Sequence, residues 1–363
     1  MNETGSNKIQ PQNTAGKRSQ QIQEFLDTCP ECSSPEMMPL AGDASFRRYI
    51  RLRQGARTYM LMDAPPQKED IRKYLVIAEY LHKHGYSTPN VLASSITNGF
   101  LLLEDLGDDL FSAVIRNEAA SQQAQKELEL YESAIDLLVE WYLRKSTLVN
   151  PVQLQLREYD SRVLMDEVGL FGEWFLPQIM EQGKAATLAE EFSAVWKGIL
   201  SKSRLHFDCM VHRDYHADNL IWLPERSGIK RVGLLDFQDA VYGDPAYDMV
   251  SLLEDARRDV SPNVVQHCLM GFLYGTKVNK DRFMTAYAIL GAQRNCKIIG
   301  IFTRLAVRDK KHQYLSMLPR VWNHLQHDMK VAELAPLAQW MGQHVSQEFR
   351  GVLQVKGANG GNT

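Results

Sequence analysis

One polar segment, clamped between apolar runs, limits the fold more than any other feature. Residues 210–222 read MVHRDYHADNLIW, which crowds His212, Asp214, His216 and Asn219 into one loop. A third apolar run, 232–235, follows a Pro-Glu-Arg-Ser-Gly turn (224–228) and ends at Asp236. Short apolar runs bounded by turn residues read as strands. Residues 205–236 are therefore a strand–loop–strand block. Around it lie long helical stretches at 186–201, 245–257, 262–275, 281–307 and 314–347, so the block must sit on a helical body.

The first third of the chain has the opposite character. SFRRYIRLR (45–53) and RTYMLMD (57–63) flank a Gln-Gly-Ala turn, and VLASSI (91–96) and FLLLED (100–105) flank Thr97-Asn98-Gly99. Asn-Gly between apolar runs favours a hairpin because both residues tolerate positive φ. Between the two hairpins, Ile71, Leu75, Ala78 and Leu81 recur at helical spacing, with Gly85 placed as a C-cap. The expectation is an α+β, bilobal fold. Residues 22–106 form a lobe with a small antiparallel sheet and one main helix, and 107–350 form a larger, mainly helical lobe. A cleft at such a junction is a usual place for small-molecule binding. The polar ends, 1–21 and 351–363, read as disordered tails.

Composition excludes several function classes. With 41 Lys and Arg against 44 Asp and Glu, the 363-residue chain has a net charge of −3, without the basic excess of a nucleic-acid binder. No apolar stretch reaches the ~18 residues that span a bilayer, and no apolar core follows the N-terminal charges, so a cytoplasmic protein is expected. Cys29 and Cys32 form a lone CxxC without further zinc ligands or a preceding strand, and read as two reduced thiols.

The spacing within the polar block points to chemistry. An Asp followed five residues later by an Asn is the arrangement of phosphoryl-transfer loops. In that reading Asp214 accepts the proton of an attacking hydroxyl, while Asn219 and Asp236 supply oxygen ligands to Mg²⁺. The bland alternative is a polar turn between two strands. Gly243-Asp244-Pro245 reads as a turn, an N-cap and a proline at the first helical position, so capping is the main expectation for Asp244. Asp248 is expected to orient the loop from behind by pairing with His212 or Arg213.

Together the two blocks resemble the aminoglycoside phosphotransferase family, small-molecule kinases with a protein-kinase-like fold. The family pattern His-x-Asp-x-His-x-x-Asn falls on His212, Asp214, His216 and Asn219. Its second pattern falls on Asp236, Phe237, Gly243, Asp244, Pro245 and Asp248. The resemblance covers about residues 38–345. Within the family, GDASFRRY (42–49), MDAPP (62–66) and LLLEDLGD (101–108) are similar to the bacterial anomeric N-acetylmuramate/N-acetylglucosamine kinases of cell-wall recycling. The resemblance implies ATP as co-substrate, Mg²⁺ and an amino-sugar acceptor phosphorylated at C1; no nucleic-acid or membrane partner is expected, and a monomer is the default for an oligomeric state that the sequence leaves open. Alternatives are another hydroxyl acceptor (an aminoglycoside, choline or an amino acid) or a non-catalytic nucleotide-binding module.

The chain also departs from the family pattern. There is no Gly-x-Gly-x-x-Gly in the first hairpin, which leaves Gly42-Asp43-Ala44-Ser45 as the candidate phosphate-covering turn. The third-strand lysine is missing. Arg47 or Arg48 could replace it as a bidentate phosphate clamp, or stand as a solvated arginine on an outer face. The Glu104 carbonyl and the Leu106 N–H are the expected partners of adenine. No Walker A sequence is present, which excludes a P-loop NTPase. For the acceptor, His216 either touches the sugar or locks the loop. Gln238 contacts sugar or phosphate, or satisfies local backbone. Arg294 either meets an acceptor carboxylate or belongs to a solvated basic face with Lys297 and Arg304. Trp174, Phe175 and Trp222 are candidates for an apolar floor, with core packing as the alternative.

Overall fold

The computed structural model describes residues 12–32, 34–40, 46–148, 154 and 156–355. It divides into two compact units, Met1–Gly107 and Asp108–Thr363.

The first unit is a five-stranded antiparallel sheet in the order β1-β2-β3-β5-β4. Its strands are β1 (Glu36–Pro39), β2 (Arg48–Gln54), β3 (Arg57–Asp63), β4 (Val91–Ser95) and β5 (Phe100–Glu104). Gly99 closes the β4–β5 hairpin at φ 70°, and a Cβ there would stand 1.9 Å from the Ala64 carbonyl oxygen. Only glycine fits that position. Helix α2 (Ile71–Lys83) starts at an Asp70 cap, whose carboxylate accepts the Arg72 N–H, and it buries Ile71, Tyr74, Ile77, Ala78 and Leu81 along one stripe.

A further helix, α1 (Gln12–Asp27), corrects one expectation: residues 12–21 belong to a helix rather than to a tail. The physical reason is a short apolar stripe. Ile22, Phe25 and Leu26 bury themselves against Leu52, Tyr59, Leu61, Phe100 and Leu102 of the sheet. Burial of such side chains contributes about 1.5–3 kcal/mol each. Arg18 reinforces the contact by donating to buried Asp63 through Nε at 3.0 Å and by lying 4.0 Å from the Phe100 ring centroid. Cys29 and Cys32 close this same core as free thiols, and burial pushes Cys32 up to about 11.

The second unit is mostly helical. Its principal helices are α3 (Phe111–Asn117), α4 (Gln123–Leu143), α5 (Ser161–Leu170), α6 (Gln182–Lys202), α7 (Ala246–Leu253), α8 (Pro262–Thr276), α9 (Lys280–Val307), α10 (Leu318–Asp328) and α11 (Ala335–His344). The expected helix over 314–347 is broken into α10 and α11. Pro319 and Pro336 each fall in a first turn, where a proline lacks no needed donor but ends whatever helix precedes it. Two small sheets interrupt the helices. In one, β10 (Val241–Gly243) pairs in parallel with β6 (Arg157–Glu158) and antiparallel with β7 (Cys209–Val211). In the other, β8 (Leu220–Trp222) pairs antiparallel with β9 (Val232–Leu234). Among the described residues no helix is long and apolar enough to cross a membrane.

Candidate active site

The polar loop lies between β7 and β8, and ladder register decides what it meets. Leu220 faces Leu234 across the β8–β9 hairpin, and the Leu235 N–H donates to the Asn219 carbonyl at 3.0 Å. This puts Asn219 and Asp236 at the same end of the hairpin. The chain then turns through Phe237–Asp239 and returns as β10 beside β7, which carries α7 beneath the loop. Along the loop, Val211, His212, Tyr215, His216 and Ala217 are buried, whereas Arg213, Asp214, Asp218 and Asn219 are part-exposed.

Two non-glycine residues of the site sit in the left-handed region, Arg213 at φ 78° and Asp236 at φ 59°. Such a conformation persists where surrounding bonds over-determine it. For Arg213 those bonds come from Asp248, which is 2 % exposed. Its carboxylate accepts the His212 N–H at 2.7 Å and the Arg213 N–H at 2.8 Å. Asp248 thus holds the loop through backbone donors rather than through the side chains of His212 or Arg213. Burial pushes its carboxyl up to about 7 although both backbone bonds oppose the rise.

Around Asp214 the cations prevail. Burial alone would raise its carboxyl, but Lys297 foremost, with Arg294 and Arg213, brings it below the ordinary carboxylate range. The Asn219 amide donates to the Asp214 carbonyl at 3.0 Å and lies 3.3 Å from His216 Nε2. The same ring nitrogen is 3.3 Å from Arg257. Burial first and Arg257 second hold His216 well below its usual pKa, so its ring is neutral. Burial likewise keeps His212 neutral. Gln238 donates to Asp236 at 3.1 Å and Asp239 at 3.3 Å, a local role.

Several expected residues go elsewhere. Asp244 accepts the Ala246 N–H at 3.0 Å, the His206 N–H at 2.8 Å and Arg282 at 3.1 Å, so its carboxylate holds the start of α7, one residue before the Pro245 cap position. Arg294 is no solvated residue: it is 5 % exposed and donates to Ser251 at 3.0 Å. Phe175 packs with Phe171 and Trp322, and Trp222 with Phe111, which makes both core residues, while Trp174 is half-buried. In the first unit, Gly42 and Ser45 lie outside the described residues. Arg47 and Arg48 have unlike environments. The Arg47 side chain is 9 % exposed and reaches Glu69 at 3.8 Å, whereas that of Arg48 is 62 % exposed and pairs with buried Asp63. Glu104 ends β5, its N–H donating to the Asn90 carbonyl at 2.8 Å, and half-buried Leu106 lies two residues on.

Sequence reasoning missed Glu167 on α5. Its carboxylate accepts from Tyr159 and Arg213, from Lys297 at 3.1 Å and from Gln293 at 3.3 Å. Burial works against its charge, but Lys297 and Arg213 hold it down to about 2. A lone Glu in an amphipathic helix gives no sequence signal for such a role.

Residues 36–278 match the phosphotransferase enzyme family model (APH). A protein of Caulobacter vibrioides named N-acetylmuramate/N-acetylglucosamine kinase is 36% identical over 342 residues, covering 86% of this chain and 92% of that protein. A protein of the same name from Pseudomonas aeruginosa is 34% identical over 332 residues, covering 85% and 91%. Among solved structures, ADP-bound aminoglycoside phosphotransferase APH(2'')-Ib matches with TM-score 0.55 and 17% identity over 84% of this chain and 96% of that one. Choline kinase LicA from Streptococcus pneumoniae matches with TM-score 0.56 and 14% identity over 88% and 99%. Structural likeness at such identity establishes the protein-kinase-like α+β fold, and the family match joins it to the loop geometry: this chain belongs to the phosphotransferase enzyme family.

Proposed function

We propose that the chain is an ATP-dependent kinase that phosphorylates the anomeric hydroxyl of N-acetylmuramic acid, N-acetylglucosamine or both, acting as a cytoplasmic monomer. The observation that carries this reading is that Asn219, whose amide donates to the Asp214 carbonyl, lies with Asp236 at one end of the β8–β9 hairpin. The names of relatives that align over most of the chain support the acceptor. Asp214 takes the proton of the attacking hydroxyl. An anomeric hydroxyl is more acidic than an ordinary alcohol, so a carboxylate kept in its charged form is an adequate base. Catalysis comes chiefly from aligning that hydroxyl with the transferred phosphoryl group. Lys297, Arg294 and Arg213 around Asp214 oppose a polycationic acceptor such as an aminoglycoside and suit an acceptor that is neutral or anionic.

The donor set fits Mg²⁺. Asn219 uses its amide N–H on the Asp214 carbonyl, which leaves the amide oxygen to pair with the Asp236 carboxylate as hard oxygen ligands. Among the described residues no three His, Cys, Asp or Glu side chains group as a metal site. A cation held by one carboxylate, one amide and the nucleotide's own phosphates needs no such group. When bound there, the ion neutralises charge on the phosphates. In the first unit, Arg47 and Arg48 are the proposed phosphate partners. The Glu104 carbonyl and Leu106 N–H are the proposed partners of the base.

The test is an acceptor panel with isotopically labelled ATP, followed by NMR of the product. Phosphorus–carbon coupling at C1 of an amino sugar is the expected result. Phosphate at C6, or no transfer to any amino sugar, overturns the reading.

A further inference from the structure

Glu167 receives donors from three parts of the second unit: Tyr159 after β6, Arg213 in the catalytic loop, and both Gln293 and Lys297 on α9. Two tyrosines line the same space. Tyr159 and Tyr247 meet edge to face at 4.9 Å between centroids. Arg213 lies 5.7 Å from the Tyr159 centroid and Lys297 5.7 Å from that of Tyr247. The Lys297 ammonium also donates to the Tyr247 hydroxyl at 3.1 Å. Two cations are thus caged between two rings and one carboxylate, and one of them immediately precedes Asp214 in the chain.

The charge balance is informative. Of the three cations that act on Asp214, Arg213 and Lys297 also pair with Glu167, whereas Arg294 donates to Ser251. Take away the Glu167 charge and Arg213 and Lys297, part-buried and no longer paired with it, join Arg294 in facing the Asp214 carboxylate. Opposite charges at low effective dielectric attract strongly, so they would close on it. A carboxylate clamped by two further cations is held away from the substrate hydroxyl, and the added positive charge makes it a weaker base. Resting on the kinase reading above, we propose that Glu167 is a positioning residue, which sequesters Arg213 and Lys297 so that Asp214 stays free to receive the acceptor proton. Glu167 itself touches no reacting atom. The transfer stays balanced: the acceptor oxygen bonds to phosphorus, the bridging oxygen–phosphorus bond to the nucleoside diphosphate breaks, and the proton passes to Asp214.

The full chain tests this with Glu167→Gln, Glu167→Asp and the double variant Glu167→Gln/Lys297→Met, each assayed below its unfolding midpoint. Glu167→Gln lowers kcat about 100-fold, as a misplaced catalytic group does, while KM for ATP and sugar stays within about threefold of wild type. The double variant removes one of the two released cations and regains at least about tenfold of the lost kcat. A merely structural role predicts no such recovery in kcat per folded enzyme. Glu167→Asp keeps the charge balance, so it folds even where the neutral variant does not, and its shorter reach costs about tenfold in kcat. Wild-type kcat in Glu167→Gln, a Glu167→Asp variant no faster than Glu167→Gln, or a double variant no faster than Glu167→Gln, overturns the proposal. ATP hydrolysis without acceptor reports the same ratios. A wild-type enzyme inactive on every amino sugar therefore defeats the sugar reading while still deciding the role of Glu167.

Discussion

Replacing Asp248 by Asn separates stability from activity, because opposing costs meet at one buried carboxylate. Its two oxygens accept the His212 and Arg213 N–H groups at 2.7 and 2.8 Å. Asn keeps one acceptor and turns an amide NH₂ toward the second backbone donor. An orphaned buried N–H costs about 1–3 kcal/mol, and weakening the remaining bond from charged to neutral costs roughly 1 more. Against this, a carboxyl raised from 3.8 to about 7 carries roughly 4 kcal/mol of burial cost once ionised, which Asn does not incur. At pH 8 the terms cancel to within about 2 kcal/mol. The catalytic loop has no such compensation. With one donor released, nothing obliges Arg213 to keep φ 78°, and Asp214 follows it in the chain.

Asp248→Asn should therefore unfold in denaturant near the wild-type midpoint at pH 8, yet lose about 100-fold in kcat. The pH dependence supplies a second reading. Because burial raises the folded carboxyl above its unfolded value, the wild-type protein binds more protons folded than unfolded between about pH 4 and 7. The stability that this contributes is present at low pH and lost as pH rises through 7. The variant has no such group, so it should be least stable relative to wild type at pH 5 and closest to it at pH 8. Paired denaturation curves at the two pH values measure the gap. A gap that widens with pH, or kcat within threefold of wild type, would refute the reasoning.

Three further outcomes follow from the same geometry. Asp214→Asn should cut kcat by about 10²–10⁴-fold, as loss of a general base does, with ATP affinity nearly unchanged in calorimetry; retention of more than a few per cent of turnover reassigns the base. Gly99→Ala drives a Cβ to 1.9 Å from a carbonyl oxygen at positive φ, so the first unit should lose at least about 2 kcal/mol, read as a lowered denaturation midpoint. Burial raises both Glu254 and Asp328, which hydrogen-bond to each other and to Asn295 (2.8 and 3.0 Å). Their contribution to stability is lost as pH rises, and Asp328→Asn should flatten that part of the dependence in thermal unfolding.

What the sequence disclosed and what it hid follow one rule. Local signals were legible: Asn-Gly for the β4–β5 turn, the Asp-to-Asn spacing of the loop, the apolar runs of β8 and β9. Each is fixed by neighbours a few residues apart. The misses are long-range. Helix α1 looks too polar to order until Ile22, Phe25 and Leu26 are placed on the sheet that receives them, with Arg18 reaching Asp63 across 45 residues. The stretch around Arg294 and Lys297 reads as a solvated basic face only while Glu167, 130 residues from Lys297, is unseen. A charge on a helix acquires its meaning from what it neutralises. That partner is set by packing of α5 against α9, which periodicity in either helix does not specify. The same holds within the first unit, where Arg47 and Arg48 are adjacent in the chain yet reach Glu69 and Asp63, 22 and 15 residues away.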